Sequence, residues 1–148
     1  MGEPITKEHL RNYKSWRIRV DIDTEELARA ESASYFKPMR ESDGSQHQPG
    51  GSDGMGTAIR KMDLEERLRP IIEEHKRKMR RIEEAIDSLD NPMEQNVLRA
   101  RYIVGNPYEV TTWAEVAMKI YRKDDENAVQ NATRLHGRAL KSIAKEEF

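Results

Sequence analysis

The sequence predicts an all-α protein in which an N-terminal antiparallel helical hairpin of coiled-coil type precedes a trihelical unit with a helix-turn-helix ending. Three observations carry this expectation. Leu68, Ile72, His75, Met79, Ile82, Ile86 and Leu89 repeat at alternating spacings of four and three, the seam of a coiled coil. A stretch dominated by Gly, Ser, Asp, Gln and Pro, KPMRESDGSQHQPGGSDGMG, separates two helix-like blocks. After Asp90, capping residues, a proline and a glycine divide the chain into three short helical segments.

The first block spans residues 1–36. Leu10, Tyr13, Trp16, Val20 and Leu27 fall at helical spacings, which predicts a helix from about Thr6 to Ala33. A rival strand-like alternation, WRIRVDID, lies inside it, but the flanks KEHLRNYK and TEELARAE favour helix. Residues 37–56 are poor in apolar side chains, cannot offset the entropy of ordering and are expected to form a flexible loop. Residues 57–90 form the second coiled-coil helix, with Pro70 marking either its start or a kink. The cationic run HKRKMRR within it reads as a solvated flank of the coil.

Residues 91–148 form the third region. Asp90-Asn91-Pro92 offers a cap with proline in the first turn, and that helix should run through Tyr102 before Gly105 stops it. Thr111 or Thr112 caps the next helix, TWAEVAMKIY. Asp124, Asp125 and Glu126 precede the last helix, where carboxylates favour the positive end of the dipole. Ala128, Ala132, Leu135, Ala139 and Ile143 form its inward stripe.

Charge and composition narrow the function. With 26 basic and 27 acidic residues the net charge is −1, so no global basic field points to nucleic acid. The absence of cysteine excludes disulfides, thiolate metal sites and a thiol nucleophile, and suits a reducing cytosol. No apolar run is long enough for a signal peptide or a membrane span, so the expected location is the cytoplasm. His9, His47, His75 and His136 show no metal-ligand spacing, and neither a Gly-rich phosphate loop nor a nucleophile elbow occurs. No enzyme, metal or cofactor is expected, and His136 reads as a surface or hinge residue.

The segments LDNPMEQNVLRARYIVG, TWAEVAMKI and TRLHGRALKSI resemble, in order, the three helices of the C-terminal promoter-reading region of bacterial sigma factors. The whole chain is similar to small phage and prophage proteins of Gram-positive bacteria, late-gene regulators of the autolysin-regulator type. That resemblance implies a DNA-binding transcriptional regulator working in a bacterial host cell. Its recognition helix would begin near Asn127 and lie in the major groove of double-stranded DNA. Relative to that family, the connection YRKDDEN reads as several residues longer.

The residue types on that helix suit direct readout. Asn127, Gln130, Asn131, Arg134, Arg138 and Lys141 project from the face opposite the apolar stripe; amides pair with adenine and guanidinium groups with guanine. Lys119, Arg122 and Lys123 are placed to grip phosphates and fix register. Gly137 gives up about 1 kcal/mol of helix propensity against alanine, which suggests close approach of a neighbouring helix or of DNA. Residues 113–148 carry seven basic and six acidic groups, so weak nonspecific affinity and a shallow salt dependence are expected. The hairpin is expected to mediate self-association or to contact RNA polymerase. Two alternatives remain: a protein-interaction adaptor whose helix-turn-helix-like end does not bind DNA, and a phage DNA-packaging protein.

Overall fold

The computed structural model describes residues 2–35 and 52–148. It is all-helical, a helical hairpin followed by a helix bundle: α1 (Lys7–Tyr35), α2 (Ser52–Asp87), α3 (Pro92–Leu98) continuing into a π-helical turn (Arg99–Ile103), α4 (Trp113–Tyr121) and α5 (Glu126–Ile143). No described helix is long and apolar enough to cross a membrane. The expected flexible loop falls largely on residues outside those described, and its last five residues belong to α2, which begins at Ser52 instead of residue 57. Pro70 lies inside α2 and does not start it. WRIRVDID is helical, as its flanks demand.

The chain divides into two compact units, Met1–Ile18 with His75–Phe148, and Arg19–Glu74. The first unit therefore contains more than the trihelical segment. Its single core joins Ile5, Leu10 and Tyr13 to Ile82, Ala85, Ile86 and Leu89, and these to the inward residues of α3, α4 and α5. Within it α1 and α2 run antiparallel, since Tyr13 donates a hydrogen bond to Glu83 while Trp16, three residues later, meets the Lys78 ammonium 5.6 Å from its ring centre. Burial and the adjacent Glu83 carboxylate both push the Tyr13 phenol up. Phe148 stacks on His9 at 4.1 Å, and backbone bonds Phe148 to Glu3 and Ile5 to Glu146 close the two chain ends on each other.

In the second unit, Leu68 and Ile72 are buried, and so is Asp23. Burial of a carboxylate is unfavourable unless it is paired. Arg19, one helical turn earlier on α1, donates to Asp23 at 2.8 Å and supplies the partner.

The last three helices follow the expected punctuation. Asn91 caps α3 through its side chain to the Met93 amide at 2.9 Å, with Pro92 in the first turn. Thr112, not Thr111, caps α4. Asp125 caps α5 by accepting from the Ala128 amide at 2.8 Å. The helix from Pro92 does reach Tyr102, but its end widens: the Val104 amide donates to the Arg99 carbonyl, five residues back, at 2.8 Å. Gly105 follows at φ +104°, a conformation that favours glycine.

Candidate nucleic-acid interface

α4 and α5 are joined by four residues, Arg122–Asp125. The connection is shorter than YRKDDEN suggested, because Tyr121 still belongs to α4 while Glu126 and Asn127 already belong to α5. A turn of this length between two packed helices is within the range that a helix-turn-helix uses. The chain reverses at Arg122, which ends α4 at φ 62° and ψ 25°, and Asp125 then starts α5. The acidic trio thus includes a helix cap, Asp125.

α5 is strongly two-faced. Ala128, Ala132, Leu135, Ala139 and Ile143 are all buried against α3 and α4. The small side chains at 128, 132 and 139 let the helix sit close to its neighbours. Asn127, Gln130, Asn131, Arg134, Arg138 and Lys141 are all exposed. Among the described residues, none of these six side chains is engaged in a hydrogen bond or an ion pair. Four cations or amides within the first three turns are thereby left with unused donors.

His136 departs from the sequence expectation. It is 6% exposed, neither a surface nor a hinge residue, and it seats α5 in the bundle. Its Nε2 and the Tyr102 hydroxyl share a hydrogen bond of 2.6 Å, and the Trp113 ring meets it edge-on at 4.9 Å. The widened turn at Arg99–Ile103 carries Tyr102 into this position. Burial, reinforced by the cations Lys7, Arg101 and Arg11, holds the His136 pKa down at about 4, so the ring is neutral at physiological pH. Burial likewise raises the Tyr102 pKa and keeps the phenol protonated.

Of the two close approaches expected at Gly137, that of a neighbouring helix is not found. A Cβ added there meets no atom within 4 Å, so no neighbouring helix of the bundle requires the glycine. It opens onto the same exposed side as Arg138.

Lys119 lies in the last turn of α4, Arg122 is its C-terminal cap and Lys123 follows in the turn; all three are exposed. They flank the start of α5 together with the exposed carboxylates of Asp124 and Glu126. Among the described residues no group of His, Asp, Glu or Cys is placed to hold a metal ion. The chain matches no known protein family, no characterised protein and no solved structure.

Proposed function

We propose that the protein is a sequence-specific, double-stranded-DNA-binding transcriptional regulator of phage or prophage kind, acting in the bacterial cytoplasm by binding and not by catalysis. α5 enters the major groove with its N-terminal half toward the base edges. The observation that carries this reading is that Asn127, Gln130, Asn131, Arg134, Arg138 and Lys141 all stand on one free face, after a four-residue turn from α4. Amide groups offer the bidentate geometry adenine accepts, and guanidinium groups that for guanine O6 and N7. Lys119, Arg122 and Lys123 take phosphates on the flank and set register without reading sequence. The resemblance to sigma-factor promoter-reading helices agrees with this arrangement.

The hairpin of α1 and α2 supplies self-association or a contact to RNA polymerase. Support comes from Ile22, Ile59 and Met62 in the Arg19–Glu74 unit, large apolar side chains left exposed. Light scattering tests self-association: a mass that stays monomeric across concentration excludes it.

DNA selected from a random double-stranded pool tests the main reading. The expected result is enrichment of one defined site. A selection that converges on no site, with binding that is uniform across sequences, removes direct readout; a chain that retains no DNA at all leaves the adaptor function.

A further inference from the structure

A cleft of about 360 Å³ lies between the N-terminal turns of α1 and the non-helical segment 104–112, within one compact unit of the chain. That volume is in the range of small-ligand sites. One wall is cationic: Arg11 and Lys14 from α1 and Arg101 from the π-helical turn. The other is apolar, formed by Pro107, Tyr108 and Val110. Tyr108 and Val110 are 71% and 78% exposed, an unusual position for an aromatic and a branched side chain, and no element among the described residues covers them.

The cationic wall is held in place by the protein itself. Lys14 Nζ donates to the Glu109 carbonyl at 3.2 Å and to the Thr111 hydroxyl at 3.0 Å, and retains a third donor. The Arg101 guanidinium stacks 4.3 Å from the centre of the Trp113 ring and donates to the Thr111 carbonyl, with further N–H groups unused. Arg11 reaches only Glu8, at the surface. Among the described residues Glu109 is the one carboxylate lining the cleft. Burial, with Lys119 and Arg101 as crowding cations, lowers the proton affinity of Lys14, and Glu115 only partly opposes them. An anion here finds an excess of positive charge and donors already oriented.

We propose that this cleft binds a small amphipathic carboxylate, its anionic head among Arg11, Lys14 and Arg101 and its apolar body against Tyr108 and Val110. A bare anion leaves the apolar wall wet, and a neutral apolar molecule leaves the cations without a partner. Both halves of the site are therefore needed. The cleft is separate from the exposed face of α5, so the proposal stands or falls independently of DNA binding.

The test is a titration of the full chain with phenylacetate, followed by amide NMR shifts, with phenylacetamide and inorganic phosphate as single-feature probes. The expected result is saturable shifts confined to residues 11–15, 101–102 and 107–111, and markedly weaker responses to the other two probes. Arg11→Gln and Val110→Ser alter exposed side chains and should each weaken phenylacetate binding about five-fold or more, the scale of one lost charge-assisted or apolar contact. Shifts that do not saturate overturn the proposal. So does an equal response to phenylacetamide or phosphate, or binding that both variants leave unchanged.

Discussion

Acidification should loosen α5 through His136. The ring is buried and shares its Nε2 hydrogen bond with Tyr102, and the charged groups facing it, Lys7, Arg101 and Arg11, are all cations. Its folded pKa of about 4 lies below the ordinary value of 6.5, so between these limits the unfolded chain binds the proton and the folded chain does not. The stabilisation from a neutral His136 is accordingly complete above pH 6.5 and is lost as pH falls toward 4. Over the interval from about pH 7.5 to about pH 4.5 the linkage amounts to roughly 2.5 kcal/mol, at about 1.4 kcal/mol per pKa unit. Carboxylates elsewhere also titrate in this window, so the variant His136→Phe serves as the reference. Urea unfolding of both proteins across that range isolates the His136 contribution as the change in their stability difference. With a slope of about 2 kcal/mol per molar urea, the difference between midpoints should change by roughly 1 M. Stability curves that stay parallel from neutral to acid pH would refute the burial of a neutral imidazole at this position.

Three other outcomes follow from the geometry. Gly137→Ala meets no steric obstacle and should stabilise the fold by up to about 1 kcal/mol while weakening DNA binding; a stabilised variant with unchanged affinity would remove Gly137 from the interface. Arg122→Gly should relieve the left-handed conformation at φ 62°, worth roughly 1 kcal/mol in thermal unfolding, yet lower DNA affinity for all sequences alike. A sequence-dependent loss would instead place Arg122 at base edges. For the wild-type chain, three phosphate contacts from Lys119, Arg122 and Lys123 give a slope of log affinity against log salt of roughly −3 per chain. A slope near zero in fluorescence anisotropy would deny those contacts.

What the sequence made legible was what local spacing encodes. The stripe Ala128–Ile143 and the free face opposite it follow from the 3.6-residue period alone, and the caps Asn91, Thr112 and Asp125 from side chains that satisfy the first amides of a helix. Misreadings arose where a polar residue does a buried task. His136 interrupts the polar face and looks exposed, because its partners Tyr102 and Trp113 are distant in sequence. Asp23 sits at seam spacing, three residues after Val20 and four before Leu27, and that spacing was the available sign of its burial. YRKDDEN reads as a long connection only by comparison with the resembled family; Tyr121 packs on the core at the end of α4, and Asp125 caps an α5 that already includes Glu126 and Asn127. The widened turn at Arg99–Ile103 has no signature in RARYI. The cleft was invisible because Lys14 meets Glu109 and Thr111 across 95 and 97 residues of chain, and Arg11 lies on the same helical segment.

The account rests on Arg134 and Gln130 reading bases from an unobstructed helix face. Affinity of the wild type, Arg134→Ala and Gln130→Ala for the selected site and for its single-base variants measures this directly. Each substitution should cost about 1–3 kcal/mol on the selected site and abolish discrimination at one base pair, leaving the others intact. Unchanged affinity, or a loss equal on every sequence, would contradict major-groove readout by α5.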